Sequence, residues 1–238
     1  MMEVVKKRDI IAYYEAEGRN LTSRDIDKAY RGHYRIFSTN ASRRLIIEKW
    51  LHLSKPGQTF LDVGCELGYF VRIMAQKGLH ATGVDISPTK IRKARYIAKK
   101  LDIECNYSVM DGENLEFKDN SFDWVQCSET LEHILNDQQA ANELIRVAKQ
   151  NIIITVPQKS LFWRVFNRIR SINGFNILGA GHLREYTPES LLNLFQNSVR
   201  IEYLKACNFF WIFFDRFLCK IPIFRATLCL KLKKIKLD

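Results

Sequence analysis

Two glycines and a carboxylate in the first half of the chain have the spacing of a nucleotide-binding turn. Residues 59–63 (TFLDV) have the composition of a buried strand, Gly64 and Gly68 bound a turn, and the helical pattern YFVRIMA follows at once. This order lets backbone N–H groups approach a bound nucleotide. Asp85 ends a second predicted strand 21 residues after Gly64, where an acid is placed to bind both hydroxyls of a ribose. The spacing therefore predicts a cofactor that contains adenosine.

The residues within the turn indicate which cofactor it is. A dinucleotide fingerprint requires G-x-G-x-x-G, whose second glycine lets the backbone reach a pyrophosphate, whereas Glu66 stands between the two glycines here. The acidic residues Asp62, Glu66 and Asp85 would repel a phosphate but suit a cationic ligand. S-adenosylmethionine (SAM) carries a sulfonium and an ammonium and has no phosphate. The turn therefore favours SAM over NAD and leaves an NAD-dependent oxidoreductase as the weaker alternative.

Several segments resemble those of a known family. Residues 61–68 (LDVGCELG) resemble the first motif of the class I SAM-dependent methyltransferases. Four later segments resemble the type 11-like subgroup, which methylates small molecules and lipids: MDGENLEF at 110–117, SFDWV at 121–125, LEHI at 131–134 and GHLREYTP at 181–188. The matches occur in the same order as in the family, and their combination is more specific than any one of them.

This resemblance implies a fold, a cofactor and a set of contacts. It implies an α/β, Rossmann-like fold with a mostly parallel seven-stranded sheet and helices on both faces. The first motif would cradle the methionine part of SAM through four residues, Gly64, Cys65, Glu66 and Gly68. Asp85 would hold the ribose, and Asp111 with Gly112 would lie near the adenine. Three further residues lie at strand ends: Asp62 is predicted to hold the ammonium through water or through the loop backbone, Ile86 to pack on the adenine, and Ser128 to line the methionine tail. This chain departs from the family at Glu66, where members usually have glycine.

Candidate residues for catalysis and for binding the acceptor lie later in the chain. Methyl transfer from a sulfonium requires orientation and, for some acceptors, a base. His133 follows the fourth predicted strand and is the first candidate for that base, although it could instead orient its loop through hydrogen bonds. Glu132 and His182 are weaker candidates for the base. His182, Arg184 and Tyr186 are predicted to bind the substrate, although Arg184 and Tyr186 could instead anchor their loop. No metal ligand is predicted, because the reaction requires no metal and no metal-binding spacing is visible.

The elements that position these residues alternate regularly. Strands are predicted at 59–63, 80–85, 103–109, 122–127 and 152–156, and helices at 68–78, 88–101 and 137–149. Such alternation predicts a parallel sheet, whose ligands bind beyond the carboxyl ends of the strands. Outside this core the sequence predicts helices at 24–53 and 188–197, a strand at 199–206 and an edge strand at 226–233, while the first 20 residues are only weakly patterned.

Length and composition are those of one ordinary α/β domain of 238 residues. We divide it into a helical cap (1–55), a SAM-binding core (56–157) and a substrate-side insertion with C-terminal strands that complete the same domain (158–238). The net charge of +11 resides in the flanks, with about +5 before residue 57, −3 from 57 to 156 and +9 thereafter. Six cysteines without a C-x-x-C pair, no signal peptide and no 18-residue apolar run predict a cytoplasmic protein.

Two aromatic and basic segments, 161–170 and 209–225, are the least typical feature of the chain. Such a composition is typical of a surface that contacts the inner face of a membrane, of a pocket for a lipid-like substrate, or simply of a core. The sequence therefore predicts a methyltransferase acting on O, N or C of a small or lipid-like acceptor. A nucleic-acid (RNA) methyltransferase is less favoured, because SETL at 128–131 stands where base-flipping enzymes carry a Pro-Pro-Tyr motif. A SAM-fold protein without catalysis is the third alternative, supported by Glu66.

Overall fold

A single seven-stranded sheet organises the computed structural model, which describes residues 6–22, 39–159, 182–195, 198–208 and 225–235. Its strands are β1 (Thr59–Val63), β2 (His80–Asp85), β3 (Asn106–Val109), β4 (Phe122–Ser128), β5 (Ala148–Pro157), β6 (Val199–Asn208) and β7 (Arg225–Lys234). Their order is β3-β2-β1-β4-β5-β7-β6, and β7 alone runs antiparallel to its neighbours. This confirms the predicted fold class.

Helices cover both faces of the sheet. The described helices are α1 (Lys7–Asn20), α2 (Thr39–Leu51), α3 (Tyr69–Gln76), α4 (Pro88–Lys100), α5 (Asp137–Val147) and α6 (Pro188–Asn193). Alternate residues of β5 show the arrangement, because Ile152 and Ile154 pack in one core with α5 while Ile153 packs in the other with α2 and α3. All three isoleucines are fully buried. Burial on both faces is what gives a parallel strand its continuous apolar run.

The last strand, β7, lies inside the sheet and not at its edge, so the predicted edge strand at 226–233 is wrong. β7 pairs with β5 on one side and β6 on the other, and β6 is the edge. The prediction was wrong because it placed the alternating lysines of this strand on a solvent-exposed edge. Lys231 is buried, its Nζ lies 2.8 Å from a Glu202 carboxylate oxygen on β6, and it stands over the ring of Trp124. Paired in this way, a lysine is compatible with an interior strand.

Other boundaries differ from the prediction by a few residues. The helix predicted at 24–53 is described only over Thr39–Leu51, and α6 ends at Asn193 rather than 197. The third strand begins at Asn106 rather than 103. The weakly patterned N-terminus forms α1, which polar contacts hold in place. The predicted segment 161–170 and nearly all of 209–225 lie outside the described residues.

The cysteines of the described residues are free thiols. Four of them, Cys65, Cys127, Cys207 and Cys229, are buried, and Cys105 is half-buried. Among the described helices none has both the length and the apolar composition needed to cross a bilayer.

Candidate functional site

A cavity of about 290 Å³ opens at the carboxyl ends of β1, β2 and β4. This is close to the lower end of the range for small-molecule sites, ~300–1,000 Å³. Eight of the predicted site residues line it: Gly64, Glu66, Asp85, Ile86, Asp111, Gly112, Ser128 and His133. The strand register explains this convergence, because β2 and β4 pair on either side of β1 and all three end at the same edge.

The turn after β1 requires glycine at its first position. Gly64 has a φ of +76°, and a Cβ there would collide with the side chain of Thr130. The amides of Gly64 and Cys65 both donate to the carbonyl of Val84, at 2.8 and 2.9 Å. These bonds join the turn to β2, and Gly64 itself lines the cavity. Backbone that a ligand can approach closely is the established use of such a glycine.

Asp85 is a buried carboxylate of the cavity that two backbone amides hold in place. It ends β2 and is 8% exposed; Oδ1 accepts from the Ser87 amide at 2.9 Å, and Oδ2 accepts from the Glu66 amide at 3.0 Å. Burial raises the pKa of this carboxyl, while the nearby Lys90 ammonium opposes that rise. Each oxygen keeps a lone pair that can accept from a ligand hydroxyl. The carboxylate is therefore rigid and still able to bind a ribose.

Helix α1 supplies part of the lining that the sequence did not indicate. Lys7, Ile10, Tyr14 and Glu17 face the cavity, at spacings of three and four residues that place them on one helical face. The Lys7 ammonium lies 2.7 Å from carboxylate oxygens of both Asp111 and Glu113. Only two of these four residues are apolar, so the sequence lacks the periodic apolar pattern by which an amphipathic helix is recognised.

Glu17 and Tyr14 of this helix meet Lys90 of α4 at the same cavity wall. The Lys90 Nζ lies 2.6 Å from a Glu17 oxygen and 4.9 Å from the centre of the Tyr14 ring. The Tyr14 hydroxyl is buried and forms no hydrogen bond with the described residues. Burial, first of all, raises the pKa of this phenol well above its usual value. It therefore keeps its proton and can donate to a ligand.

His133 also lines the cavity and stands on a short 3₁₀ turn formed by Leu131–His133. Its ring centre lies 5.4 Å from that of Tyr14 and 4.7 Å from that of His182. His133 Nε2 is 3.7 Å from Oε1 of the fully buried Glu132. One ligand atom from each of Glu132, His133 and His182 lies within 4.8 Å of the others, so this group could hold a metal ion.

An ion pair borders the histidine end of the cavity. Glu129 and Arg43, both in the lining, approach to 2.9 Å. Neither residue, nor Thr130 beside them, was singled out from the sequence. Arg43 comes from α2, and only the folded chain brings it to the end of β4.

Five predicted site residues lie outside the lining, in addition to His182: Asp62, Cys65, Gly68, Arg184 and Tyr186. Asp62 is buried beneath the turn, where its Oδ1 accepts from Gln126 Nε2 at 3.1 Å, and burial raises its pKa to about 8. A bond from Asp62 to the SAM ammonium stays a prediction. Gly68 has a φ of +73° and begins α3.

Arg184 and Tyr186 use their polar groups within the protein. Arg184 donates to the carbonyls of Ile134 and Leu135, each at 2.8 Å. The Tyr186 hydroxyl donates to Asp137 Oδ2 at 2.9 Å, and its ring is 3% exposed. These contacts anchor the loop before α6 against the histidine turn. A direct contact of either residue with substrate stays a prediction.

The cavity fits a ligand that carries positive charge and hydroxyl groups. Six carboxylates line it, from Glu17, Glu66, Asp85, Asp111, Glu113 and Glu129, against the cations of Lys7, Arg43 and Lys90. The Gly64 turn and the fixed Asp85 carboxylate supply the cradle that a nucleoside requires. The residues present therefore fit SAM.

Comparison with known proteins agrees with this geometry. Residues 61–155 match the family model Methyltransf_11, described as a methyltransferase domain. A ubiquinone biosynthesis O-methyltransferase of Coxiella burnetii is 31% identical over 63% of this chain and 60% of its own length. A 2-methyl-6-phytyl-1,4-hydroquinone methyltransferase of Synechocystis is 38% identical over 42% of this chain and 32% of its own. The chain thus spans about a third to three fifths of these curated relatives.

Solved structures share the fold. The magnesium protoporphyrin IX methyltransferase of Synechocystis, solved with bound SAH, has a TM-score of 0.70 at 18% identity and covers 97% of this chain and 100% of its own. The [4+2]-cyclase SpnF has a TM-score of 0.70 at 16% identity, with 96% of each chain covered. At such identities the likeness establishes the fold alone.

Proposed function

We propose that this protein, whose residues 61–155 match a methyltransferase-domain family model, transfers a methyl group from SAM to O, N or C of a small molecule. One observation carries the proposal. The lining of a single cavity includes the fixed Asp85 carboxylate, the Gly64 turn and the His133 imidazole. A cofactor site and a candidate base thus share one cavity.

The cofactor end has a residue for each part of SAM. Asp85 would accept from the ribose hydroxyls, Gly64 would let the chain approach the methionine part, and Ile86 and Gly112 would flank the adenine. Bound SAM supplies a methyl group on a sulfonium, whose departure needs no acid. The protein's work is therefore to orient the partners and to exclude water.

At the acceptor end His133 would accept the proton of an acceptor hydroxyl or amine. The imidazole is half-buried and lines the cavity, and a neutral imidazole suits a base at neutral pH. Tyr14 and Ile10 of α1 line the same cavity, and the ring centre of Tyr14 lies 5.4 Å from that of His133. Exclusion of water by the bound ligands would favour transfer to the acceptor.

The acceptor is a small molecule. The relatives' names support this class, since they name a methyl-phytyl-hydroquinone methyltransferase, an O-methyltransferase of ubiquinone biosynthesis and an N-methyltransferase of norajmaline. A lipid-like acceptor and a cytoplasmic location, with membrane contact through 161–170 and 209–225, belong to this proposal as well. Sedimentation with anionic lipid vesicles tests the membrane contact, which fails if the protein stays in the supernatant at low salt.

The experiment that tests the function supplies purified protein with methyl-labelled SAM and an extract of its native host. Lipid, small polar, nucleic-acid and protein fractions are then separated. We expect label in a small-molecule or lipid fraction. His133→Ala should lower the rate by ~10²–10⁴, the usual contribution of a general base, without weakening SAM binding. His80→Ala is the control, because His80 is exposed at the opposite end of β2.

Other outcomes would support the rival functions. Label in nucleic acid that is lost with rising salt would favour an RNA methyltransferase. Absence of label together with absence of SAM binding would favour a protein that keeps the fold without the catalysis.

A further inference from the structure

The Glu132 carboxylate is buried without the partners that such a group normally has. Its residue is 0% exposed, and neither oxygen accepts a hydrogen bond from the described part of the chain. The nearest basic atom is His133 Nε2, 3.7 Å from Oε1. Buried carboxylates are costly unless they are hydrogen-bonded, paired or bound to a metal ion. Among the described residues this carboxylate therefore keeps the unoccupied lone pairs that a bound cation would require.

Two imidazoles flank this carboxylate. His133 follows it in the chain, and His182 reaches it from the loop before α6. That loop is held in place by a bond from the Leu183 amide to the Glu132 carbonyl at 2.9 Å. The two ring centres are 4.7 Å apart, and one ligand atom from each of the three side chains lies within 4.8 Å of the others. If the three atoms bound one ion with metal–ligand bonds of about 2.0–2.2 Å, they would lie somewhat closer to one another than they do here.

We propose that Glu132, His133 and His182 form a binding site for one divalent transition-metal ion at the acceptor end of the cavity. Two imidazole nitrogens and one carboxylate oxygen are a recurrent ligand set for Zn²⁺ and Fe²⁺. Magnesium and calcium prefer sites made of oxygen ligands alone. The ion would neutralise the buried carboxylate. His182 is exposed and His133 lines the cavity, so an ion can reach the site.

The position of the site indicates which acceptors it would serve. Three protein ligands leave at least one coordination position open, as in catalytic metal sites, and one of them, His133, lines the cavity. The acceptor would then be a hydroxylated molecule whose oxygen fills the open position, where the ion lowers the pKa of the hydroxyl. This role rests on the proposed function, and it makes His133 a ligand rather than a base whenever the ion is bound.

Metal binding alone tests the site, without SAM or acceptor. Protein stripped with EDTA is titrated with Zn²⁺ by calorimetry and with Co²⁺ by visible absorption. We expect one ion per chain and at least ~10-fold weaker binding in Glu132→Gln and in His182→Ala, since even outer-shell partners usually carry ~10–100-fold in metal affinity. His80→Ala is the matched control and should bind as the natural protein does. If Glu132→Gln fails to fold, the exposed His182 still provides the test.

Several results would overturn the proposal. They are the absence of stoichiometric binding, equal affinity in all variants, or a thiolate-to-cobalt charge-transfer band, which would place the ion on a cysteine. The methyl-transfer assay separates this inference from the function on which it rests. If Zn²⁺ binds but EDTA leaves methyl transfer unchanged, the methyltransferase function stands and the ion's role with the acceptor falls.

Discussion

Glu66 and Glu129 hold backbone conformations at the cavity that favour glycine, with φ of +50° and +51°. A left-handed conformation costs a residue with a side chain about 1–2 kcal/mol, and such strain is common at functional sites. At Glu66 the conformation directs the backbone amide to Asp85 Oδ2. The turn after β1 therefore has the backbone conformation that a glycine at position 66 would favour, and it also carries the Glu66 carboxylate.

Glu66→Gly should stabilise the protein. Relief of the left-handed strain outweighs the greater freedom of glycine in the unfolded chain, which costs roughly 0.5–1 kcal/mol, so we expect a net gain of about 0.5 kcal/mol in the free energy of unfolding in urea. SAM binding should persist, because the variant keeps the amide that contacts Asp85. Asp102→Gly is the matched control, with a φ of +54° at an exposed site.

The pair of variants separates two roles of Glu66. If both gain stability and SAM binding is unchanged, Glu66 contributes only a strained turn. If Glu66→Gly created strong binding where the natural protein has none, the non-catalytic alternative would replace our account.

The sequence correctly predicted the cavity residues whose positions depend on local chain geometry. Gly64, Asp85 and His133 each follow a strand, and the parallel order brings them together. Asp62 also lies near a strand end, but the alternation of β1 turns it into the core against Gln126. Without the register between β1 and β4, the sequence predicts neither that Asp62 pairs with Gln126 nor which face of the sheet Asp62 occupies.

Polar anchors hold helix α1 across the cavity. Glu15 Oε2 accepts from Ser87 Oγ at 2.8 Å and from the Thr89 amide at 3.1 Å, at the start of α4. Its Oε1 accepts from the Thr89 hydroxyl. Lys93 of α4 donates to the carbonyls of Gly18 and Leu21 at the end of α1. The helix is therefore attached mainly through charges and hydrogen bonds, and it closes the cavity from outside the sheet.

Glu15→Ala should loosen α1 without unfolding the core. Loss of a hydrogen bond to a charged group costs ~1.5–3 kcal/mol, so amide exchange over residues 7–20 should become at least ~10-fold faster, as measured by mass spectrometry. The bonds from Thr89 lower the pKa of Glu15 to about 2. The natural anchor is therefore complete above the unfolded pKa of ~4.3 and weakens as pH falls towards 2.

Arg8→Ala is the control on the same helix, because Arg8 is exposed and its ion pair is with the neighbouring Asp9. Equal exchange in both variants would mean that Glu15 does not anchor the helix.

The polar anchors of α1 also explain why this helix was not predicted from the sequence. Helical periodicity detects a helix through its apolar face. Helix α1 is held instead by polar contacts with residues distant in the chain, and a sequence pattern does not reveal such contacts.

The sheet of the whole molecule creates the site. Strands β1, β2 and β4 are adjacent and parallel, so three loops meet at one edge, whereas β7 returns antiparallel on the far side of β5. The alternation of strands and helices predicted this core, because each unit is local. It could not predict that residues 225–234 insert between β5 and β6, since such a pairing depends on contacts distant in the chain.

Binding of SAM to the natural protein and to Asp85→Ala, measured by calorimetry, tests the central claim most directly. We predict one SAM per chain and at least ~10-fold weaker binding in the variant, because hydrogen bonds to a charged group are worth ~1.5–3 kcal/mol each. Asp102→Ala, an exposed carboxylate beyond the end of α4, should bind SAM as the natural protein does. Absence of SAM binding, or equal affinity in Asp85→Ala, would contradict the assignment of this cavity as a methyltransferase cofactor site.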